Sequence, residues 1–296
     1  MAGVADEDKE HTLAPAAPGL QSVAPGKGGM AMEMHWLQRA APLSGLEARG
    51  PGADRVAIFA TVGDGRRKPD LGYDADGLAA SPKDRELLAA ALGLDASRLV
   101  FMEQVHGGRA VAVDDSAAGA GLQSRATAVG GADALATRCG ELALVGLSAD
   151  CPLAALWDAG GNVCAVAHAG WRSVTAGIVR RTVETMVGLG AAAERICAAL
   201  SPAIGPCCYE VQSDLVSAMT AAGAAREEDF LRDAGRVYLD LGAAVEQQLR
   251  EAGLARGQIS GALACTKCGA GQFHSHRRDG ARAGRQALGV RLRTGR

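Results

Sequence analysis

The sequence predicts an α/β (α+β) fold whose sheets are antiparallel or mixed, and three observations carry that prediction. First, short apolar runs crowd the middle of the chain, Arg109 to Val113, Leu142 to Ala149, Leu153 to Trp157 and Val163 to His168, with turn residues such as Asp158-Ala159-Gly160-Gly161-Asn162 between them. Strands this short and this close leave no room for the crossover helices of repeated βαβ units. Second, the apolar period changes after Arg172, where Val174, Ile178, Val179, Val183, Met186 and Val187 fall on one helical face. Third, 296 residues with 48% hydrophobic composition suffice for a sizeable core, in one large domain or two small ones. Aromatic residues make up only 3%, so Ala, Val and Leu must build that core.

Taken in order, residues 1–30 carry Pro15, Pro18, Pro25 and the run Gly26-Lys27-Gly28-Gly29 without periodicity, and read as a disordered extension to an organised region over 31–296. Val56 to Ala60 reads as a strand, followed by a turn holding Arg66 and Arg67. Leu87, Leu88, Ala91 and Leu92 recur at helical spacing, with Gly93 as the cap. Leu99 to Val105 is an apolar run closed by His106 and the breakers Gly107-Gly108. Ser173 is placed to cap the helix that follows Arg172. Ile196 to Leu200 predicts a strand, and Pro202, Gly205 and Pro206 stiffen the loop from Ser201 to Glu210. A helix over Leu239 to Leu249 ending near Gly253, then a strand from Ile259 to Ala264, lead to Cys265-Thr266-Lys267-Cys268.

A net charge of −2 gives no reason to expect nucleic acid or an anionic membrane surface as partner, which points to a small molecule. No apolar run approaches the roughly 18–20 residues that cross a bilayer, and the N-terminus lacks a secretory pattern. Eight cysteines spread over the chain are too sparse for a disulfide framework, so a reducing cytoplasm is expected. The absence of heptads speaks against a coiled-coil assembly, and a monomer is expected.

Chemistry concentrates between Ala149 and Arg172. Cys151 closes one apolar run and His168 the next, so two neighbouring strands bring a thiol and an imidazole together, as a metal site or a nucleophile would. His106, at the end of a third run, favours the metal. Two neutral imidazoles and a thiolate suit zinc, and three protein ligands leave a fourth position for water or substrate. The bland alternative is a buried Cys acting as a small hydrophobe and a satisfied core His. Arg172 before a helix start suggests an anion site, against which Arg172 is a surface residue and Trp171 a packing residue. Cys207 and Cys208, being adjacent, bridge each other poorly and read as tight packing. The single C-x-x-C at Cys265 and Cys268 is weak evidence for structural zinc, and equally a redox pair or incidental. Arg277 and Arg278 read as substrate or phosphate contacts, or as part of a solvated basic end.

Six motifs, in order, carry a resemblance. They are Gln104-Val105-His106-Gly107, Gly131-Ala132-Asp133-Ala134-Leu135, Ala149-Asp150-Cys151, His168-Ala169-Gly170-Trp171-Arg172, Pro202 to Val211, and Arg277-Arg278-Asp279-Gly280. Over roughly residues 100 to 290 the chain resembles the purine nucleoside phosphorylase family once called multicopper polyphenol oxidases or laccases, whose bacterial members are also described as peptidoglycan editing factors. The resemblance implies a single domain of two packed mixed sheets flanked by helices, with zinc held by His106, Cys151 and His168. It further implies phosphorolysis of adenosine, inosine, guanosine and methylthioadenosine, and deamination of adenosine. Cys151, His168 and Arg172 are the expected catalytic residues; Gln104, Trp171, Arg277 and Arg278 are the expected substrate contacts.

The N-terminal part departs from the family pattern. Thr61-Val62-Gly63-Asp64-Gly65 stands where Thr-Arg-x-Gly-Gly is usual, Asp70-Leu71-Gly72 where Asn-Leu-Gly is usual, and Asp84-Arg85 where Asn-Arg is usual. A cation is thereby missing, unless Arg66 or Arg67 replaces it, and the new carboxylates would repel phosphate. Other readings remain open: a copper oxidase, a thiol hydrolase on Cys151 and His168, an editing hydrolase acting on a cell-wall precursor, or a metal-dependent binding protein without turnover. A multicopper enzyme needs more than the six histidines present, so copper is the weaker metal.

Overall fold

Residues 35–39, 43–261 and 264–293 are described by the computed structural model, so the extension expected over 1–30 lies outside the described residues. Fifteen strands appear among them: β1 (His35–Arg39), β2 (Gly45–Arg49), β3 (Val56–Thr61), β4 (Leu99–Phe101), β5 (Ala110–Ala112), β6 (Ala134–Thr137), β7 (Ala143–Ser148), β8 (Leu153–Asp158), β9 (Cys164–His168), β10 (Ile196–Leu200), β11 (Glu210–Val211), β12 (Phe230–Asp233), β13 (Arg236–Leu239), β14 (Ile259–Ser260) and β15 (Gln286–Leu292). The α-helices are α1 (Pro82–Leu92), α2 (Trp171–Thr175), α3 (Ile178–Gly188), α4 (Ser213–Ala221), α5 (Leu241–Glu251) and α6 (His276–Asp279). No helix among the described residues is long and apolar enough to cross a membrane.

Two six-stranded sheets run in the orders β1-β2-β3-β15-β7-β4 and β14-β10-β8-β9-β6-β5. Pairing is mixed, as the short strand spacing predicts: β4 lies parallel to β7, β5 to β6 and β10 to β14, and the remaining pairs are antiparallel. Alternation along each strand sorts side chains between layers. On β8, Leu153, Ala155 and Trp157 join Val166 of β9 and Ile58, Leu144, Leu288 and Val290 of the other sheet in the core between the sheets. Ala154 and Leu156, with Ala165 and Ala167 of β9, face the opposite way, against Ile178, Val183 and Met186 of α3 and Val245 of α5. On the far side, Phe59, Phe101 and Val145 pack on Leu88 and Leu92 of α1. Each fully buried Leu, Val or Ile contributes about 1.5–3 kcal/mol, and β7, β8 and β9 are buried along their whole length. The strands that carry the site are therefore anchored in the core along their whole length.

Several elements differ from expectation. The helix expected after Arg172 is two helices, because Gly177 takes a left-handed conformation (φ 78°) and ends α2 before α3 begins. Gly170, not Ser173, precedes α2; Ser173 is buried inside it. Val187 is exposed, its position having drifted off the packed face. The run from Leu99 forms a strand only to Phe101, with a single further bridge from Met102 to Val129, and the strand expected over Ile259 to Ala264 forms only at Ile259–Ser260, with 262 and 263 outside the described residues. Gly93 caps α1 in the left-handed conformation, as expected. A third sheet, ordered β11-β13-β12, had no clear apolar alternation to announce it, since β12 is exposed after Phe230.

Candidate active site

His168 is the last residue of β9, and register places it opposite Leu153, the first residue of β8. Cys151 lies two residues before that start, in the link from β7, and not at the end of β7 itself. His106 lies beyond β4, in a loop. All three ligand atoms nevertheless lie within 4.8 Å of one another, and the two imidazole rings meet edge-on with centroids 4.8 Å apart.

Unusual backbone conformations bring the three together. Gln104 (φ 52°), His106 (φ 59°) and Asp150 (φ 100°) occupy the left-handed half of conformational space, at a cost of order 1–3 kcal/mol each. Specific hydrogen bonds offset this. The Gln104 side chain donates from Nε2 to the Leu147 carbonyl (2.7 Å) and accepts the Leu147 N–H (2.8 Å), fastening the His106 loop to β7. Asp150 accepts from Thr266 Oγ1 (2.6 Å) and the Arg277 N–H (2.7 Å), and its carbonyl accepts the Ile204 N–H (2.8 Å). Gly170 leaves the space they need: a Cβ there would stand 3.2 Å from Cys151 Sγ, 3.2 Å from His106 Cδ2 and 3.3 Å from His168 Cε1.

Asp133, fully buried at the start of β6, organises both histidines. Its carboxylate accepts the backbone N–H groups of Val105 (3.2 Å), His106 (3.0 Å) and Gly107 (2.7 Å), pairs with His168 Nδ1 (2.9 Å), and receives Ser173 Oγ at 3.4 Å. With Nδ1 engaged, Nε2 of His168 is the nitrogen available for a ligand, the arrangement seen at metal-binding histidines. Burial alone would raise the Cys151 thiol, but hydrogen bonds and charge from His106 and His168 pull it down to about 6. Burial alone would lower His168, but Asp133 and Cys151 raise it to about 9. The site favours a thiolate beside a cation, the form of cysteine that binds metal. The residues fit a metal ion: two imidazoles, a thiolate, a glycine that keeps their centre clear, and a buried carboxylate behind one ligand. His106 is exposed, Cys151 partly so and His168 buried, which leaves one side of the centre open to solvent.

The remaining predicted residues divide. Arg172 is exposed and stacked on the Trp171 ring at 4.3 Å. Arg277 lies 5.1 Å from the Tyr209 ring and donates Nη1 to the Glu210 carbonyl. Tyr209 is pushed up to about 12 by burial and by the Cys151 charge, while Arg277 and Arg172 act in the opposite sense. Tyr209 therefore lies within range of the charges on Cys151, Arg277 and Arg172. Arg278 differs: all its donors are engaged, on both Asp279 oxygens and on the carbonyls of Thr266, Lys267 and Phe273. It braces the 265–268 turn and offers no free donor to an anion. Gln104 likewise holds backbone. The N-terminal carboxylates are also spoken for, since Asp84 receives Arg67 (2.6 Å) and the Asp70 N–H (3.0 Å), and Asp70 receives the Gly72 and Arg285 N–H groups. Arg67 is thus engaged with Asp84 and does not stand in for the missing cation. Sequence reasoning passed over Asp133, Asp150, Gly170 and Tyr209 as site residues. All four fall within the motifs that carry the resemblance, and that membership was the available signal.

Known proteins resemble the chain over most of its length. Adenosine deaminase RL5, from an unknown prokaryotic organism, is 33% identical over 208 residues, 70% of this chain and 79% of its own. Purine nucleoside phosphorylase YlmD of Geobacillus stearothermophilus is 34% identical over 263 residues, 84% of this chain and 92% of its own. The crystal structure of YlmD superposes with a TM-score of 0.77 at 30% identity, covering 87% of this chain and 98% of that one. Bacillus licheniformis YfiH gives the same TM-score at 28% identity, with 86% and 98% covered. The family model described as multi-copper polyphenol oxidoreductase laccase matches residues 70–293. The chain belongs to that family, whose solved members share its two-sheet fold.

Proposed function

We propose that the protein is a zinc-dependent purine nucleoside phosphorylase, acting on adenosine, inosine, guanosine and methylthioadenosine, that also deaminates adenosine. The observation that carries the reading is the convergence of His106, Cys151 and His168 on a solvent-open point beside Tyr209, Arg172 and Arg277. The names of the relatives, phosphorylase and adenosine deaminase, agree with it.

His106, Cys151 and His168 would hold a zinc ion, which would supply Lewis acidity for acidifying water or polarising a substrate oxygen. Asp133 keeps the Nδ1 proton of His168 and so fixes which nitrogen faces the centre. Arg172 and Arg277 supply positive charge at the rim, where phosphate must be held for attack on the ribose carbon. Trp171, packed on the core and covered by the Arg172 guanidinium, holds that cation in place at the rim, next to where a nucleoside would enter. Tyr209 keeps its phenolic proton at neutral pH and can donate a hydrogen bond from Oη.

Copper chemistry of the kind in the family's name fits less well. Among the described residues His274 is hydrogen-bonded to the Pro69 carbonyl, and the other ligand cluster is made of thiols alone. The test is chromatography of products from purified protein with adenosine, with and without phosphate. Adenine and ribose 1-phosphate appearing only with phosphate support phosphorolysis, and inosine supports deamination. Neither product, from folded and metal-loaded protein, overturns the reading.

A further inference from the structure

Two cysteine pairs that are remote in sequence meet in space. Cys207 and Cys208 lie on the turn after Gly205-Pro206, and Cys265 and Cys268 flank the turn Thr266-Lys267. All four sulfurs lie within 4.8 Å of one another. Cys268 Sγ is 3.7 Å from Cys207 Sγ and 3.4 Å from Cys208 Sγ. With a zinc–sulfur bond of about 2.3 Å, the edge of a tetrahedral four-sulfur cage is about 3.8 Å. The spacing is that of ligands around one ion, needing only small shifts. We propose that Cys207, Cys208, Cys265 and Cys268 form a second metal site, a closed four-thiolate structural site for zinc, separate from His106, Cys151 and His168.

The surroundings are built to present those sulfurs. The two segments are laced by Ala203 N–H to the Ala264 carbonyl (3.2 Å) and Thr266 N–H to the Ala203 carbonyl (3.0 Å). The second turn is closed by Gly269 N–H on the Cys265 carbonyl (3.0 Å) and gripped by Arg278 at the Thr266 and Lys267 carbonyls. Backbone N–H groups of Gly205 and Cys268 hydrogen-bond the Cys265 sulfur, the kind of outer contact that steadies a metal-bound thiolate. Sulfurs 3.4 Å and 3.7 Å apart crowd one another as free thiols, and a divalent ion between them turns that crowding into ligation. Four ligands in a tetrahedron leave no open position, so the site is structural rather than catalytic. Its place explains its use, because Tyr209 follows Cys208 directly, while Thr266 and Ile204 both bond Asp150 beside Cys151. A metal staple here fixes the wall of the catalytic centre.

The test counts metal in the full chain purified without chelator, by elemental analysis. Two zinc ions per chain are expected, with one remaining in Cys151→Ala and one remaining in Cys265→Ser/Cys268→Ser. The Cys151→Ala arm leaves the cluster untouched, so it decides even if the double variant fails to fold. Loss of all metal in Cys151→Ala overturns the proposal. So does a mass decrease of two hydrogens per bridge in the non-reduced protein, with Cys207 or Cys208 joined to Cys265 or Cys268. Iron in place of zinc at one per chain in Cys151→Ala would keep the four-thiolate site and overturn the metal assignment. Cobalt(II) loading adds a readout independent of turnover, since the intensity of thiolate-to-cobalt absorption distinguishes a four-sulfur site from a one-sulfur site.

Discussion

Asp133→Asn tests whether the buried carboxylate governs the metal centre. The substitution keeps size and shape but replaces one acceptor oxygen with an NH2 donor. One Asp133 oxygen serves the His106 N–H and His168 Nδ1; the other serves the Val105 and Gly107 N–H groups. If the amide oxygen faces His106 and His168, the NH2 meets two N–H donors of the loop. Turned the other way, it donates to His168 Nδ1, which must then lose its proton and hand it to Nε2, spoiling the ligand. The first orientation is the less damaging. It leaves two donors unmatched, at about 1–3 kcal/mol each. Val105 is 49% exposed, so water reaches this loop and the lower end applies, a loss of about 2 kcal/mol. The His106 loop is loosened and a negative charge behind His168 is gone, which together should weaken metal binding by roughly 10–100-fold. Chelator competition measures the affinity, and urea unfolding of the metal-free protein measures the stability. A variant destabilised as calculated but binding metal within about twofold of the parent would show that Asp133 supports the loop without tuning the ligands. A variant changed in neither would refute the assignment of these hydrogen bonds.

The other expectations concern the same centre. Gly170→Ala should press a methyl group on all three ligand side chains, costing about 1–3 kcal/mol, and should lower metal affinity while leaving the fold intact; unchanged affinity would mean the site relaxes freely. In the Cys265→Ser/Cys268→Ser variant, which lacks the four-thiol cluster, metal binding to chelator-stripped protein at pH 7 should release roughly one proton, because Cys151, near 6, is already ionised while His168, near 9, must give up its proton to coordinate. Calorimetry in two buffers of different ionisation enthalpy counts that proton, and the release should shrink as pH rises through the His168 value; no release at pH 7 would contradict the thiolate–imidazolium pair. Arg172→Ala should raise the KM for phosphate by roughly tenfold with a smaller effect on the nucleoside, since a charged hydrogen bond contributes about 1.5–3 kcal/mol and this side chain is exposed. Equal changes for both substrates would remove Arg172 from the phosphate site.

What the sequence made legible follows from how local each feature is. The strands over Val56 to Thr61, Ala143 to Ser148, Leu153 to Asp158 and Cys164 to His168 carry their own apolar runs and turn breaks, so they read correctly. Cys151 and His168 read as neighbours because a single turn joins β8 to β9 and register does the rest. His106 was found for a less secure reason: its loop is not the end of a paired strand, and only the hydrogen bonds of Gln104 and Asp133 bring it home. Those contacts span elements far apart in the chain and leave no periodic trace. The third sheet was invisible because its strands are short and β12 is mostly exposed, and the break at Gly177 was hidden by an apolar pattern that continues through it.

The two cysteine clusters show the same limit from opposite sides. Cys151 looked functional because its histidine partner lies across one turn. Cys265 and Cys268 looked incidental because their partners, Cys207 and Cys208, are a full helix-containing excursion away, and because adjacent cysteines do not match the C-x-x-C spacing by which a four-thiol site is usually recognised. Yet the structure joins the clusters through one residue. Asp150, immediately before Cys151, bonds Thr266 between the second pair, Ile204 ahead of the first, and the Arg277 backbone at the rim. A left-handed conformation at Asp150 persists only if those three contacts hold it. The geometry of Cys151 therefore depends on how firmly the 203–208 and 264–268 segments are tied together. A metal staple between them would be a condition for the catalytic centre as well as a source of stability.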